Sequence, residues 1–442
     1  MSERHEQGAR PLRAVVVAEW YPSPGDPVHG LWAHRQALAT HSCGVEVRVL
    51  ALRRPVPPLA TLAALAARPP DPRPLVRWLG SAAATFRPFE LDGLTVEPVP
   101  LLAPPRPWSY GSWGLWAATT LARALARLRA RWPFDLVHAH NIVPTADAVA
   151  RTACWRTGVP LVASTHGPDI ITVPERSAFA RRALARALAR ADLVLANSTW
   201  AERRCHELAT APPRTRVVHL GADVPPLAAL PPKRARPTLV TVAHLQGRKR
   251  HALVLRALRL LAGRLDPDYL VIGDGEERAH LERLARDLGL AERVRFLGQL
   301  PHEAAWREAW RCHAFVMPSV EEPFGVAYTE AMAGGLPAIA TRGEGGPEDI
   351  ARAGGGMVLV ERDDVRALAE AIVRVLSPER AELGRAARAT VERHFTWQRC
   401  GRATADAYRE LVAARTRRPG PRYTPRAPLE RRPSNPAGSE RG

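Results

Sequence analysis

A strand, a loop and a helix are predicted within one stretch of the chain, Met317-Pro318-Ser319-Val320-Glu321-Glu322-Pro323-Phe324-Gly325-Val326-Ala327-Tyr328-Thr329-Glu330-Ala331-Met332-Ala333-Gly334-Gly335-Leu336-Pro337. The strand ends at Met317 and the helix begins near Gly325. The N–H groups of Gly325 and Val326 at that helix start lack intrahelical partners and favour an anion, most simply a diphosphate. Glu330 leans back toward the helix start, where its carboxylate can accept two vicinal hydroxyls, as on a ribose. Glu322, in the loop, is placed for the hydroxyls of a second sugar, so the stretch predicts a nucleoside diphosphate sugar site.

Strands and helices alternate on both sides of this stretch. In the second half, short apolar strands are predicted at 238–243, 269–272, 294–296, 315–317 and 338–340. In the first half they are predicted at 13–18, 45–50, 135–139, 161–164 and 193–196. Helical patterns separate them in each half, which is the order of doubly wound parallel sheets. Because ligands of such sheets bind at the carboxyl ends of the strands, we expect the site in a cleft between the halves.

Proline and arginine content set the expected boundaries of the domains. Residues 226–237 follow Pro225 and are too rich in proline for a regular element, so they predict a linker. We expect one Rossmann-like domain over 1–225 and another over 238–395. A last helix over 396–415 is expected to cross back to the first domain. The tail 416–442 has hardly an apolar residue and is predicted to be disordered.

Composition excludes several classes of protein. Apolar residues make up 46% and charged residues 24% of the chain, as in a globular protein. The five cysteines have no paired spacing, which favours a reduced, cytoplasmic protein without a zinc site. The polar N-terminus lacks the apolar core of a signal peptide, and the apolar run 59–67 is too short to span a bilayer. The formal charge of +19 comes without a nucleic-acid-binding motif, so nucleic acid is not an expected partner.

The stretch 317–337 resembles the E-x7-E element of glycosyltransferase family 4, retaining enzymes with the GT-B fold of two Rossmann-like domains. Two glutamates at this spacing are by themselves more often solvated charges, but the surrounding P-S, F-G, E-A-M-A, G and P of the family pattern are matched too. The resemblance extends over roughly residues 13–400. It implies an α/β GT-B protein that binds the acceptor on its first domain and the nucleotide sugar on its second.

The resemblance also implies roles for residues of the second half. Glu330 falls on the family glutamate that binds the ribose, and Glu322 on the one that contacts the hexose. Lys249 falls on the lysine that neutralises the leaving diphosphate, and it is predicted to be catalytic together with Glu322. His244 stands where an arginine is usual, so its charge depends on protonation. Gly273 lies in the loop that lines the nucleotide side of the cleft.

In the first half, the resemblance assigns His166 to the histidine near the transferred sugar and the reaction centre. Gly30 is assigned to the glycine loop at the phosphates, although His29 replaces the usual preceding glycine. A loop histidine that only packs the domain is the alternative for His166. His138 and His140 alternate on a strand, and without a third ligand nearby they do not predict a zinc site.

The expected reaction is metal-independent transfer of a hexose, with retention, from the nucleotide sugar to a hydroxyl of a glycan or lipid-linked acceptor. No cofactor is expected. The resemblance implies a front-face route in which the leaving phosphate helps to deprotonate the acceptor. Glu19-Trp20-Tyr21-Pro22, followed by Gly30 and Arg35-Gln36, suggests bacterial members that build exopolysaccharide or cell-wall glycans. Two alternatives stay open: another GT-B enzyme such as a nucleotide-sugar epimerase, and an inactive nucleotide-sugar-binding partner subunit.

Two predicted helices carry arginines on one face. The arginines are Arg123, Arg127 and Arg131 on the first helix and Arg182, Arg186 and Arg190 on the second. A solvated helix face and a surface that docks on anionic lipid headgroups explain this pattern equally well. The second reading places a cytoplasmic protein at the inner face of the membrane.

Overall fold

The computed structural model describes residues 10–56, 61, 63–64, 67, 71–104, 109–152 and 158–417. Cys154, part of the apolar run 59–67 and the tail predicted to be disordered, from residue 418 onward, lie outside these ranges. Within them, no helix combines the length and the apolar character needed to cross a bilayer.

Fourteen strands make up the two sheets of the described chain. They are β1 (Leu12–Ala18), β2 (Val45–Arg53), β3 (Phe89–Leu91), β4 (Leu94–Pro100), β5 (Leu136–His140), β6 (Leu161–Thr165), β7 (Leu193–Ala196), β8 (Thr215–Val217), β9 (Thr238–Val242), β10 (Asp268–Ile272), β11 (Val294–Gly298), β12 (Ala314–Val316), β13 (Ala338–Thr341) and β14 (Met357–Val360).

Sixteen α-helices occur in the described residues. They are α1 (Leu31–His41), α2 (Arg73–Thr85), α3 (Trp113–Arg131), α4 (Asp147–Arg151), α5 (Pro168–Ile171), α6 (Val173–Arg176), α7 (Ala178–Arg190), α8 (Thr199–Leu208), α9 (His251–Leu261), α10 (Arg278–Asp287), α11 (His302–Ala309), α12 (Val326–Ala333), α13 (Gly345–Ala353), α14 (Val365–Leu376), α15 (Arg380–His394) and α16 (Trp397–Arg417). Short 3-10 turns lie at Tyr110–Ser112, Leu227–Ala229 and Gly247–Lys249.

Each half of the chain forms a doubly wound sheet. The first sheet has the order β3-β4-β2-β1-β5-β6-β7-β8, and the second β11-β10-β9-β12-β13-β14. All neighbours run parallel except β3 and β4. The strand order reverses direction next to β1 in the first sheet and next to β9 in the second, where such sheets bind ligands. The predicted fold, two Rossmann-like domains that face each other across a cleft, is confirmed.

The sheets are buried on both faces, as parallel sheets require. β5, β6, β7 and β13 are buried throughout. Their sequences accordingly do not alternate between apolar and charged residues, and the polar side chains of β5 and β6 lie toward the carboxyl ends of the strands.

The segment between Arg53 and Trp113 is more regular than its sequence suggests. The proline-rich sequence of residues 53–107 lacks a regular pattern and predicts an irregular segment with one or two short helices. In the structure, β3 and β4 extend the first sheet there. Prolines at 98 and 100 obscure β4 in the sequence. Proline lacks an N–H group and is tolerated in a strand on a side that has no neighbour. The pairing of β4 with β3 ends at Val96, so at residues 98 and 100 only β2 pairs with β4.

The last helix, α16, lies against the first domain. Gln36 in α1 donates a hydrogen bond to the Thr404 hydroxyl at 3.0 Å. Tyr408 bonds His138 of β5 at 2.6 Å, and Arg415 pairs with Asp192 at 2.6 Å. α16 therefore packs on the first domain, although it follows the second domain in sequence.

Candidate functional site

The loop between β12 and α12 is folded by its own buried polar groups. The Tyr328 hydroxyl donates to the carbonyl oxygen of Met317 at 2.5 Å and lies 3.0 Å from the Ser319 hydroxyl. Gly325, just before α12, has φ of +76°, and a Cβ there would lie 2.6 Å from the Tyr328 ring. Only glycine fits this turn without strain. The turn leaves the first N–H groups of α12 free of intrahelical partners.

Lys249 and Glu322 form a buried ion pair beside this loop. The Lys249 Nζ lies 2.5 Å from Glu322 Oε2, and the two side chains are only 11% and 8% exposed. Burial lowers the pKa of the Lys249 ammonium, which the Glu322 carboxylate opposes. Burial raises the pKa of Glu322, but Lys249 and Arg248 outweigh that effect and hold it below its usual value. The pair places a cation and a carboxylate together, both almost removed from solvent.

Neighbouring strands bring these two residues together. β9 pairs with β12, so the turn Gly247–Lys249 after β9 lies next to the loop after β12. The N–H of Val320 donates to the carbonyl oxygen of Arg248 at 2.9 Å. The N–H of Glu322 donates to the Glu344 carboxylate at 2.9 Å. The loop is thus fixed from two sides.

Glu330 is bound by a histidine that no sequence motif indicates. His302 Nε2, at the start of α11, lies 2.6 Å from Glu330 Oε1. Burial raises the pKa of the Glu330 carboxyl, and the hydrogen bond from His302 opposes this. The same bond raises the pKa of His302. With Oε1 held by His302, the other oxygen of Glu330 is left for a ligand.

Gly273 and His244 lie where the ends of β9 and β10 approach each other. A Cβ at Gly273, which has φ of +134°, would lie 2.0 Å from the carbonyl oxygen of Ala243. The two strand ends therefore need glycine to pack. His244 Nδ1 is 3.4 Å from the carbonyl oxygen of Asp274.

Gly30 and His166 belong to the facing wall, on the first domain. Gly30 has φ of +80°, and a Cβ there would lie 2.2 Å from the backbone of Trp20. Beside it, the rings of Trp20 and His29 stack at 3.9 Å with an interplanar angle of 7°. His166 follows β6, and its ring centroid lies 6.0 Å from that of Trp32 in α1.

Histidines at the ends of β5 and β6 form a buried cluster. His140 Nδ1 lies 2.9 Å from His166 Nε2. His138 lies 2.6 Å from both the Ser164 and the Tyr408 hydroxyls. Burial lowers the pKa of His138 and of His166 to about 3, so both rings are neutral at physiological pH.

The two walls touch at the level of these loops. A Cβ at Gly167 would lie 2.3 Å from Pro323 Cγ, so the loop of His166 contacts the loop of Glu322. Nearby, Asp349 of α13 accepts from the N–H of Thr199 at 2.8 Å and bonds His219 Nε2 at 2.9 Å. The structure thereby brings His166, Glu322 and Lys249 to one region of the cleft. Glu330 lies further into α12, where His302 of α11 contacts it.

Three residues shape the site without having been predicted. Asp169 is buried, and its carboxylate accepts from Ile142 N–H, Thr165 hydroxyl and the N–H groups of His166 and Gly167. His302 orients Glu330, and Asp349 joins the domains. Asp169 could have been found as a carboxylate after a glycine turn. His302 and Asp349 have no local signal because their partners are distant in sequence.

The arginine-bearing helices are partly explained by ion pairs. Arg186 pairs with the fully buried Asp147 at 2.9 Å, together with Arg151 at 2.8 Å. Arg131 pairs with Glu97. Arg123, Arg127 and Arg182 are exposed on the surface. Arg186 therefore has a structural role, and the basic surface is smaller than the sequence pattern implied.

Two family models match the two halves of the chain. The model described as a glycosyl transferase 4-like domain matches residues 29–221, and the glycosyl transferases group 1 model matches residues 228–390. The D-inositol 3-phosphate glycosyltransferase of Acidothermus cellulolyticus is 30% identical over 410 residues, 86% of this chain and 84% of that protein. A GDP-mannose-dependent alpha-(1-6)-phosphatidylinositol monomannoside mannosyltransferase of Mycolicibacterium smegmatis is 32% identical over 314 residues, 65% of this chain and 79% of that protein.

Solved structures share the fold. Sucrose-phosphate synthase from Thermosynechococcus elongatus superposes with a TM-score of 0.70 at 20% identity, covering 91% of this chain and 100% of that one. Anabaena Alr3699/HepE in complex with UDP and glucose has a TM-score of 0.61 at 20% identity, covering 89% and 98%. At such identities the likeness concerns the two-domain architecture.

Proposed function

Because this chain belongs to glycosyltransferase family 4 and has the GT-B fold, we propose that it transfers a hexose from a nucleoside diphosphate sugar, with retention of configuration. The proposed acceptor is a hydroxyl group of a glycan or of a lipid-linked sugar. Exopolysaccharide or cell-wall glycan synthesis is the corresponding process in a bacterial cell. The reaction is proposed to need neither a metal ion nor a cofactor.

The buried pair of Lys249 and Glu322 carries this proposal. Both side chains are nearly inaccessible and 2.5 Å apart, at the carboxyl edge of the second sheet. The start of α12 at Gly325 lies beside them. A lysine ammonium and free helix N–H groups stabilise a diphosphate, whereas a carboxylate binds sugar hydroxyls. A nucleotide sugar requires both kinds of group at the bond that joins its diphosphate to its hexose.

The proposed placement follows the order of groups in the ligand. Glu330 binds the ribose with the oxygen that His302 leaves open. The diphosphate lies at the start of α12 and near Lys249, and Glu322 binds the hexose. Gly30 and His166 close the site from the first domain. Gly273 and His244 line the nucleotide side.

In the proposed step, the bond between the anomeric carbon and the phosphate oxygen breaks. A bond from the acceptor oxygen to the same carbon forms on the same face. The acceptor proton passes to the leaving diphosphate, so no protein base is needed. Lys249 and the helix start stabilise the charge that develops on the diphosphate, which is where catalysis of this kind gains most.

Three exposed apolar side chains of the first domain, here called the patch, support a lipid-linked acceptor. Leu102, Trp116 and Phe179 are 65%, 49% and 45% exposed. Helices α3 and α7 run antiparallel to the strands that follow them, so their starts lie at the cleft edge of the first sheet. A Cβ at Gly111 would lie 2.4 Å from Ala180, which places these two helix starts side by side. With Arg182 nearby in α7, the patch has the apolar and basic character of a membrane interface.

The experiment that tests the proposal is a screen of nucleoside diphosphate sugars. Purified protein is mixed with each sugar, and thermal stabilisation and slow release of free nucleotide are measured, since ligand binding raises stability. We expect one donor class to stabilise the protein and to be hydrolysed slowly without an acceptor. NMR of the released or transferred sugar reports the anomeric configuration. Binding without any turnover would instead favour a partner subunit, and conversion to an epimer without nucleotide release would favour an epimerase.

A further inference from the structure

We propose that His140 is the positioning residue for His166. It holds the His166 ring in one plane and one tautomer, so that His166 presents its Nδ1–H to an oxygen of the transferred sugar. The inference rests on the proposed function for the identity of that ligand. The histidine pair itself is independent of it.

The contact between the two histidines is a hydrogen bond within a common plane. His140 ends β5 and pairs with Ser164 of β6, two residues before His166. The two ring nitrogens are 2.9 Å apart, and the rings are parallel within 1°. This distance and coplanarity are those of a well-formed hydrogen bond. Asp169 holds the backbone of the same loop, because its carboxylate accepts from the N–H groups of His166 and Gly167. His140 holds the imidazole ring of His166.

Burial makes each of these rings neutral. It lowers the pKa of His166 to about 3 and the pKa of His140 well below its usual value. A neutral imidazole carries one N–H, and its other nitrogen accepts. Only one of the two histidines can therefore donate to the other. Which one donates fixes the tautomer of both.

A ligand decides between the two arrangements, because each leaves one buried N–H unpaired in the free protein. His140 Nε2 and His166 Nδ1 are buried and have no hydrogen-bond partner within the described chain. If His166 donates from Nε2, the hydrogen of His140 is on its Nε2 and lacks an acceptor. If His140 donates from Nδ1, the hydrogen of His166 is on its Nδ1 and lacks an acceptor instead. A buried donor without an acceptor is costly, so a ligand that accepts at His166 favours the arrangement in which His140 donates and His166 holds its hydrogen on Nδ1.

The Nδ1–H of His166 then needs an acceptor, and a ligand is the group able to supply it. The loop of His166 contacts Pro323, next to Glu322, through Gly167. A hydroxyl or ring oxygen of the sugar held by Glu322 is the acceptor that the proposed function places closest. His138, on the same strand, differs because both of its nitrogens already have partners, Ser164 and Tyr408.

Two substitutions of His140 separate positioning from packing. His140→Leu keeps volume and removes the N–H, whereas His140→Asn keeps an N–H close to the position of Nδ1. We expect His140→Leu to lower kcat by about tenfold to a hundredfold, by analogy with groups that orient metal-binding histidines. The KM for the nucleotide sugar should not change, and His140→Asn should recover most of the lost kcat.

A spectrum of the histidine side chains reads the tautomer directly. Two-bond 1H–15N correlation distinguishes Nδ1–H from Nε2–H, and His166→Asn assigns the signals of His166. With the nucleotide sugar bound and no acceptor present, we expect Nδ1–H in the wild type and a mixture in His140→Leu. His138→Leu is the matched control, since it removes buried hydrogen bonds on the same strand and should lower the unfolding midpoint without changing the His166 tautomer.

An Nε2–H tautomer of His166 in the wild type with the nucleotide sugar bound would overturn the proposal. So would a His140→Leu variant with wild-type kcat and an unchanged His166 spectrum. If the wild-type protein neither binds nor consumes a nucleotide sugar, the proposed function fails. Binding and turnover with Nε2–H on His166 would instead leave the proposed function intact and refute the role of His140.

Discussion

Lys249 and Glu322 are each unfavourable alone in their buried position. Two opposite charges out of water compensate each other only while both are present, and loss of one partner typically costs about 3–5 kcal/mol. Ser319 adds a hydrogen bond to Glu322 at 3.2 Å. The pair is therefore a structural as well as a proposed chemical element, and its two roles can be separated.

We expect Lys249→Met to lower both the stability and the turnover. The free energy of unfolding should fall by about 3–5 kcal/mol, and kcat should fall by about 10²–10³-fold because the charge on the diphosphate is no longer stabilised. Urea denaturation and initial rates measure the two effects. The double variant Lys249→Met/Glu322→Leu is the control: it should regain stability but not activity. Recovery of activity in the double variant would contradict a catalytic role of Lys249.

His302 should give the site a pH dependence. The hydrogen bond to Glu330 raises the pKa of His302 in the folded state. A raised histidine pKa contributes stability below the unfolded value of about 6.5, and the contribution is lost as the pH rises through the folded value.

We therefore expect His302→Gln to lose stability relative to the wild type at about pH 6 but not at about pH 9. The difference should stay below about 1 kcal/mol because His302 is partly exposed. Urea denaturation of both proteins at the two pH values measures it. If the difference in the free energy of unfolding were the same at both pH values, the charge of His302 beside Glu330 would make no contribution to stability.

Among the elements, the turn into α12 depends most on the identity of one residue. Gly325 combines a positive φ with a close approach to the Tyr328 ring, and it precedes the helix start proposed to bind the diphosphate. Gly343 has nearly the same φ, +79°, but a Cβ there would meet nothing within 4 Å.

This pair of glycines allows a matched test. Gly343→Ala should cost only the left-handed strain of about 1 kcal/mol. Gly325→Ala should cost more, because Tyr328 must move, and it should weaken binding of nucleoside diphosphate. Thermal unfolding and calorimetric titration with the nucleotide measure both. Equal losses of affinity in the two variants would show that the turn at Gly325 does not shape the anion site.

At the scale of the whole molecule, Asp349 connects the domains. Its carboxylate accepts from the N–H and the hydroxyl of Thr199, at 2.8 and 2.5 Å, and bonds His219. Burial raises the pKa of Asp349, but the bonds to His219 and Thr199 outweigh burial and lower it overall. The ionised carboxylate thus links the two domains across the cleft.

We expect Asp349→Ala to destabilise the protein by about 1–3 kcal/mol and to raise the KM for the nucleotide sugar. Asp364→Ala is the control, since Asp364 also accepts backbone N–H groups but only caps α14 within one domain. It should lower stability and leave KM unchanged. Steady-state kinetics and small-angle scattering of both variants provide the measurement. An unchanged KM and scattering profile for Asp349→Ala would exclude a role in cleft closure.

The exposed patch on the first domain should determine attachment to membranes. We expect co-sedimentation with vesicles containing anionic lipid, weaker binding to zwitterionic vesicles, and release by salt. The double variant Leu102→Ser/Trp116→Ser should bind several-fold less. Leu227→Ser/Leu260→Ser removes leucines that are 69% and 57% exposed outside the patch, and it should bind like the wild type. Equal binding by the two variants would contradict the assignment of the patch.

The sequence determined the two-domain doubly wound fold because that fold depends on local patterns. Each of these patterns involves only a few neighbouring residues: the apolar runs, the glycine turn at Gly325 and the proline-rich segment after residue 225. The candidate residues on strand ends followed from the same logic, since parallel strands present their carboxyl ends at one edge. β4 escaped prediction because its prolines mimic a loop.

The tertiary structure alone decided which side chains meet. The partnership of His302 with Glu330, of Asp349 with Thr199 and of His140 with His166 joins residues 26 to 150 positions apart. No local pattern records such contacts, because they depend on which strands pair and on how the two domains dock. The same holds for Arg186, whose pairing with buried Asp147 separates it from the basic surface. A hydrogen bond acts over about 3 Å, whereas sequence patterns specify only the element in which each partner lies.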